Sequence, residues 1–220
     1  MSIKKIIFVT LAFLFVQQVF SQRNYDHYNR LGVTAGYTLF DISTSDLTTK
    51  QAGGFMLGFT TRGSFRNNFD LIYGLNFHNT KVEVFGRNPI SFTDTQYIEY
   101  TIQSVQINFL GSYNIIKHHL SLEFGPILNV NGKMKVDSER YEDYILDGYD
   151  TLRATDIENI SPINFLVAGG ISGGLKSFRA SVQYQYGVTN MLNKLNDKDL
   201  ENTDFKGNSS NIIFALVVYF

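Results

Sequence analysis

The sequence has no cysteine and no tryptophan, and after residue 22 it has no apolar run as long as a membrane helix. Without cysteine there is neither a disulfide framework nor a cysteine for lipid modification, which excludes a lipoprotein. A helix needs about 20 apolar residues to cross a bilayer, so helical spans are excluded too. The net charge is -1 with scattered basic residues, which gives no indication of nucleic-acid binding.

Residues 1–21 have the three parts of a secretory signal peptide. Lys4 and Lys5 precede an apolar run over residues 6–16, and the small Ser21 lies where a signal peptidase could cut before Gln22. The run is too short for a membrane anchor, so we interpret it as a cleaved signal. No linker rich in proline or serine divides the remainder, which predicts one domain over residues 22–220.

The last two apolar segments of the chain alternate strictly. The even-numbered residues from Phe178 to Val188 and from Ile212 to Phe220 are apolar, whereas the odd positions of the first segment begin with Arg179. This is the period of a strand with two different environments on its faces. An aromatic residue at the last position suggests a closed barrel in a membrane, where only helices and closed barrels pair every backbone group.

Six earlier segments alternate in the same way, near residues 30–40, 53–63, 69–84, 97–113, 118–130 and 162–174. Eight antiparallel strands are enough to close a small barrel whose interior is filled by side chains. In the third and fourth segments the apolar parity changes, at Val82 and Val84 and again at Ile98 to Ile102. Such a change indicates either a bulge or a strand that has left the bilayer.

The connections alternate in length, as expected for outer-membrane barrels with short periplasmic turns and long outer loops. They cover residues 41–52, 64–68, 83–96, 114–117, 131–161, a very short turn around Lys176, and 189–210. We therefore predict an all-β, eight-stranded antiparallel up-and-down transmembrane barrel in the outer membrane, with both termini periplasmic. A soluble barrel of the lipocalin kind also alternates, but its lumen should be apolar, whereas the minority face here is polar.

Four charged residues have inward parity: Arg62, Asp70, Glu123 and Arg179. Unpaired, they would be costly, so we expect at least one contact between a carboxylate and an arginine on different strands. An interior filled by side chains predicts a plugged polar lumen. The alternative is that these charges line a narrow pore.

His119, Ser121 and Glu123 share a face, and the His-x-Ser pair is similar to that of eight-stranded lipid A deacylases. Neighbours at i and i+2 on a strand are about 6.8 Å apart, too far for a base to activate a nucleophile directly. We therefore interpret these residues as a hydrogen-bonding network in the lumen and predict no enzymatic activity.

The connection over residues 131–161 is acidic. From Lys133 to Glu158 it has eight acids and four bases, a balance of 4 - 8 = -4, interleaved with tyrosines. It is either a strand extension above the membrane or a partner-binding surface, and we expect residues 137–156 to be dispensable for folding. The segment Asp147 to Asp150 does not match a calcium loop, so no metal and no cofactor is assigned.

Outward tyrosines are natural members of aromatic girdles at the two membrane interfaces. The candidates are Tyr37, Tyr73, Tyr113, Tyr184 and Tyr186.

Several segments of this chain resemble the PorT-like outer-membrane β-barrels of Bacteroidetes. They read Leu31-Gly-Val-Thr-Ala-Gly-Tyr, Gly53-Gly-Phe-Met-Leu-Gly-Phe, Glu123-Phe-Gly-Pro-Ile and, most distinctively, Tyr184-Gln-Tyr-Gly-Val-Thr-Asn. Many relatives carry a proline in the fourth strand where this chain reads Ser104-Val-Gln-Ile-Asn. The resemblance implies the barrel and its location, and it implies that the terminal Phe220 is recognised by the outer-membrane assembly machinery. The founding member is associated with protein secretion and gliding, which the resemblance does not transfer to this chain.

These observations predict a structural or interaction role through the extracellular loops. The expected partners are outer-membrane lipids and lipopolysaccharide, the assembly machinery during insertion, and a protein partner at loop 131–161. The alternatives are an accessory component of outer-membrane protein secretion and a lipid-modifying enzyme.

Overall fold

A computed structural model describes residues 28–91 and 93–220, so the predicted signal peptide lies outside the described residues. The described part is all-β, with three short 3-10 helices at Glu139–Tyr141, Ala154–Glu158 and Asn193–Asp197. Its strands are β1 (Asn29–Ser43), β2 (Thr49–Arg66), β3 (Phe69–Arg87), β4 (Thr95–Ile116), β5 (Leu120–Val136), β6 (Ile145–Leu146), β7 (Ile163–Gly174), β8 (Phe178–Gly187) and β9 (Asn208–Tyr219). No helix in this part of the chain is long and apolar enough to cross a membrane.

Eight of the strands close into a ring. Its order is β1, β2, β3, β4, β5, β7, β8 and β9, and β9 pairs with β1 to complete it. All pairings are antiparallel, and the pairing of β9 with β1 closes the ring, so that none of its eight strands is an edge strand. The two-residue β6 extends the sheet where β3 continues past the end of β2, through Gly86 opposite Leu146. The predicted eight-stranded antiparallel barrel is confirmed.

The two ends of the barrel differ in their connections. At one end, here called the turn end, are the turns 67–68, 117–119 and 175–177; at the other, the loop end, are loops 44–48, 88–94, 137–162 and 188–207. The alternation of short and long connections follows the prediction. The predicted loop bounds were wrong because the strands are longer at the loop end, where for example Val84 still pairs with Ile98. At the turn end, Asn67 takes the left-handed φ of 52° that a two-residue turn requires and asparagine tolerates.

The even-numbered residues point inwards from Asp70 to Gly86 on β3 and from Gln96 to Asn114 on β4. Asp70 near the turn end and Val84 near the loop end are both buried, and the same holds for Leu110 and Ile98 on β4. Register shifts occur in the ladders between β2 and β3 and between β4 and β5, yet they do not reverse the faces of β3 or β4. The change of apolar parity is therefore a change of chemistry inside the barrel and not a bulge of these two strands.

Candidate functional site: the lumen and its cap

Arg62 is the centre of a buried polar network near the turn end. It lies on β2 and is 4% exposed. Its Nε lies 2.9 Å from Asp70 Oδ2 on β3, and its Nη1 lies 3.2 Å from Glu123 Oε1 on β5. Nη2 donates to the hydroxyls of Ser112 and Ser121. One guanidinium on β2 thus contacts side chains of β3, β4 and β5 and meets both buried carboxylates.

Arg179 joins the same network through neutral groups. It lies on β8 and is 3% exposed. Its Nη1 donates to the His118 carbonyl at 3.0 Å, and its Nη2 donates to Ser121 Oγ and to Ser172 Oγ, each at 3.0 Å. Ser172 in turn donates to the Glu123 carboxylate. The structure therefore brings the four charged residues selected from the sequence together, although Arg179 reaches a carboxylate only through serine.

The serines of this network were only partly visible in the sequence. Ser112 and Ser172 lie at inward positions on their strands, opposite Asp70 and Ser121 respectively. Inward parity at the height of the charges is the signal that could have found them. Which arginine each would contact depends on the register between strands, which parity alone does not supply.

The middle of the lumen holds polar side chains and a small cavity. The cavity, of about 60 Å³, is lined by Arg62, Arg179, Glu123, Asn76 and Asn108, among others. Buried amide oxygens of Asn76 and Asn108 have no hydrogen-bond partner among the residues that the structure describes. A cavity of this size holds a few water molecules, which would pair such groups.

At the loop end the lumen becomes apolar and is covered by a folded cap, formed by loops 137–162 and 188–207. Loop side chains pack against inward residues of β1, β3, β4 and β5 in one buried apolar cluster. From the strands it contains Phe40, Ile42, Val82, Val84, Ile98, Tyr100, Ile102 and Met134. From the loops it contains Leu47, Tyr144, Leu146, Leu152, Ala154, Ile157, Ile160, Met191, Leu192, Leu195 and Phe205.

Hydrogen bonds tie the two long loops of the cap together. The Glu201 carboxylate accepts from the backbone N–H groups of Asp150, Thr151 and Leu152, the shortest at 2.7 Å. These bonds hold the pKa of Glu201 below its ordinary value. Tyr100 on β4 donates to the Ala154 carbonyl at 3.0 Å and so fixes the cap to the barrel wall.

The outer wall of the loop end carries paired charges. Lys81 Nζ lies 2.6 Å from Glu99 Oε1 and 3.1 Å from Asp137 Oδ2, and these bonds raise the pKa of Lys81. Burial opposes ionisation of Asp137, but hydrogen bonds from Thr101 and Lys81 lower its pKa. A charged outer wall is one that faces water.

The sequence of this chain matches the model of one protein family, described as outer membrane protein beta-barrel domain, over residues 17–193. The chain belongs to this family. Among solved structures it is similar to Neisserial surface protein A (12% identity, covering 86% of this chain and 97% of that chain, TM-score 0.49). It is also similar to Ail of Yersinia pestis (12% identity, covering 87% of this chain and 99% of that chain, TM-score 0.46). A third similar structure is OprG of Pseudomonas aeruginosa (10% identity, covering 88% of this chain and 97% of that chain, TM-score 0.47). No curated protein matches it.

As an outer-membrane barrel the chain needs a lipid-facing surface, and its outward positions supply one. Leu57 and Phe59 on β2 and Leu75 on β3 are 53%, 60% and 53% exposed, and apolar side chains continue around all eight strands. Tyr73 and Tyr113 point outwards near the turn end, and Tyr37, Tyr184 and Tyr186 point outwards nearer the loop end. Their place in aromatic girdles stays a prediction.

Phe220 lies at the turn end, where its side chain points outwards and is 73% exposed. Its backbone N–H donates to the Leu31 carbonyl at 2.8 Å, so both described ends of the chain lie at the turn end.

The structure separates the residues that resemble a hydrolase pair. His119 lies in turn 117–119, where its Nδ1 is 3.0 Å from the Gly174 carbonyl. The Ser121 hydroxyl donates to Asn114 Oδ1 at 2.8 Å and accepts from the two arginines. A serine that donates to an amide is not activated by a base. Within residues 28–91 and 93–220 no three His, Asp or Glu side chains could together hold a metal ion.

Proposed function

We propose that this outer-membrane barrel is closed to ions and presents its cap as an interaction surface outside the cell, without enzymatic activity. The observation that carries the proposal is the buried cluster that joins loops 137–162 and 188–207 to the barrel wall. Loops that bind partners are commonly held by a rigid scaffold, and this cluster gives the long loops such a scaffold. The exposed acidic residues of loop 131–161, which include Glu139, Glu142, Asp147 and Asp150, supply the surface for a protein partner.

The closed lumen is supported at two heights. Near the turn end the side chains of Arg62, Arg179, Asp70 and Glu123 occupy the interior, and near the loop end the apolar cluster does. We expect the purified barrel to give no steady conductance in planar bilayers. A variant that lacks residues 137–156 tests which level closes the lumen, since the network at the turn end remains. Steady channels in the unmodified protein would contradict the closed barrel.

The proposed orientation has the cap outside and the turn end, with Phe220, in the periplasm. An epitope inserted in loop 88–94 should be labelled by antibody on intact cells, whereas one inserted at turn 67–68 should be labelled only after permeabilisation. Phe220 is then at the rim where the assembly machinery acts. Removing Phe220 should lower the amount of barrel in the outer membrane without changing its folding in detergent.

Site-specific photo-crosslinking separates the proposed role from a secretion accessory. Ile90, at the tip between β3 and β4, is 92% exposed at the loop end, and Lys176 is exposed at the turn end. Cross-links from position 90 to an external protein support the interaction role. A stable periplasmic assembly cross-linked from position 176, and kept after mild detergent extraction, would instead support the alternative role as an accessory component of protein secretion. Altered lipid A in cells that overexpress this protein would support the alternative of a lipid-modifying enzyme.

A further inference from the structure

An open apolar groove lies on the outer face of the barrel, across β5, β7, β8 and β9 and close to the turn end. Its volume is about 400 Å³, and none of the described residues that line it is charged. Its floor is formed by Gly173 on β7 and Ala180 on β8, which are paired in register and both point outwards. Its sides are formed by larger outward side chains, which are Leu120, Ile171, Val182, Phe214 and Leu216.

The strand pairing shows why the outer layer of side chains has a gap at this place. One row of outward residues, in register across the four strands, consists of Leu120, Gly173, Ala180 and Leu216. The next row towards the loop end consists of Leu122, Ile171, Val182 and Phe214. Two small residues thus lie side by side between two leucines, and a row of large side chains closes the gap on its third side.

The backbone does not require glycine at position 173. Gly173 has no positive φ, in contrast to its neighbour Gly174 with a φ of 153°, and the ladders to β5 and β8 have no bulge there. A Cβ at Gly173 would meet its nearest atoms, the His119 carbonyl oxygen and Leu120 Cδ1, at the ordinary contact distances of 3.7 and 3.9 Å. A glycine inside a strand that serves neither a bulge nor a bend marks a place where a ligand or another backbone approaches closely.

The position of the groove decides between its two possible occupants, an acyl chain and a second barrel. The groove lies within the lipid-facing surface, because Leu175 and Phe178, between it and the turn end, are exposed and apolar as well. A two-fold contact between barrels would place groove against groove and leave a void, and association within lipid has no hydrophobic driving force. An acyl chain surrounds the barrel already, is flexible enough to enter, and gains dispersion contacts that an unfilled groove lacks.

We propose that this groove binds one acyl chain of a glycerophospholipid in the leaflet at the turn end, and that it keeps the chain when the surrounding lipid is replaced by detergent. The inference rests on the membrane barrel and is independent of the proposed role of the cap. Because no charged side chain lines the groove, the site recognises the chain and not the headgroup.

The test uses the full-length protein, equilibrated with palmitoyl-oleoyl phosphatidylcholine and then transferred to detergent. The groove variant is Gly173→Leu, and Ala180→Leu fills the same floor from the other strand. The matched control is Gly169→Leu, on the same face of β7 but outside the groove, where an added Cβ has no described atom within 4 Å. Native mass spectrometry counts the retained lipid, heat-modifiable gel migration gives the thermal midpoint, and a phosphatidylcholine with a photoactivatable acyl chain locates the chain by cross-linking.

We expect the unmodified protein and the control to retain a single lipid, cross-linked to peptides of β7 and β8. Both groove variants should retain about tenfold less, with an unchanged thermal midpoint in detergent, because the added leucine takes the place of the chain. Phosphatidylglycerol with the same chains should be retained equally well.

Three results would overturn the proposal. The first is undiminished retention in the groove variants or an equal loss in the control, and the second is a strong preference for one headgroup. The third is a dimer of the unmodified protein that Gly173→Leu dissociates, which would assign the groove to a second copy of the chain.

Discussion

Glu201 and Thr151 join the two long loops of the cap, because the Glu201 carboxylate accepts from both the backbone N–H and the hydroxyl of Thr151, at 2.7 and 2.9 Å. The two residues belong to connections that the strand pattern leaves unstructured. Their contact makes the cap a tertiary unit, and its strength depends on the charge of one carboxylate.

The cap should therefore loosen in acid. The folded-state pKa of Glu201 is lowered from its ordinary 4.5, so the stabilisation is complete above that pH and is lost as the pH falls through the lowered value. Hydrogen exchange of the Thr151 and Leu152 amides, followed from pH 7 downwards, measures this. Glu201→Gln should already exchange faster at pH 7, whereas Glu142→Gln, at an exposed position of the same cap, should behave like the unmodified protein. A protection factor of these amides, which is the intrinsic exchange rate divided by the observed rate, that stays constant as the pH falls below 4.5 would contradict the assignment.

The buried ion pairs of Arg62 should be essential for the barrel. Arg62→Met leaves Asp70 and Glu123 without their cation, which we expect to cost about 3–5 kcal/mol of the free energy of unfolding. Neutralising the acids in the same chain, with Asp70→Asn and Glu123→Gln, should recover part of this loss. The control is Lys50→Met at the exposed pair with Glu83, where the cost should stay below about 1 kcal/mol. Urea unfolding in lipid vesicles measures all three variants, and similar costs for Arg62→Met and Lys50→Met would show that the lumen network is not a buried one.

The cap core should be separable from the membrane ring. Leu152 is 1% exposed in the cap cluster, and Leu152→Ala should cost the cap about 2–5 kcal/mol. Limited proteolysis should then cut loops 137–162 and 188–207, while heat-modifiable migration of the ring persists. Ile90→Ala, at a side chain 92% exposed, should change neither. Loss of heat-modifiable migration in Leu152→Ala would show that the ring depends on the cap.

The outer face should tolerate a charged side chain near the loop end of a strand but not in the lipid-facing part of the strand. Leu57→Arg places a cation on the lipid-facing surface, at an expected cost of about 2–4 kcal/mol near the bilayer midplane. Thr95→Arg, on the outer face at the loop end of β4, should lie within about 0.5 kcal/mol of the unmodified protein. The free energy of unfolding in lipid vesicles compares the two variants. Equal costs would place the membrane border closer to the loop end than Lys81.

Period-two alternation was sufficient to predict the ring, because each strand of the membrane segment has one lipid face and one polar face. It also selected Arg62, Asp70, Glu123 and Arg179, since charge at an inward position is rare enough to stand out. The cap was not predictable in the same way. Met191, Leu192 and Phe205 lie in irregular loops without a period, and their burial depends on residues far away in sequence, such as Ile42 and Ile98.

One expectation changes because of that packing. Residues 137–156 were expected to be dispensable for folding, but they include Tyr144, Leu146, Leu152 and Ala154 of the buried cluster. The sequence gives one indication of this buried cluster, which is the change of the apolar face of β3 to the even-numbered Val82 and Val84. The change predicts a different environment inside the barrel but does not identify the residues that fill it. Deletion of this segment should expose the cluster while the membrane ring remains.

The even-numbered side of β3 runs from Asp70 to Val84 without a break, while its odd-numbered side runs from Phe69 to Glu83. A single strand is thus inside-out in one half and has the ordinary arrangement of a water-soluble protein in the other. The outer face of the half near Phe69 is apolar and is solvated by lipid, whereas the outer face of the half near Glu83 is polar and is solvated by water. A detergent that strips lipid acts on the outer face of the first half, whereas urea acts on the core of the second, so the two halves of the same hydrogen-bonded ladder respond to different chemical stresses.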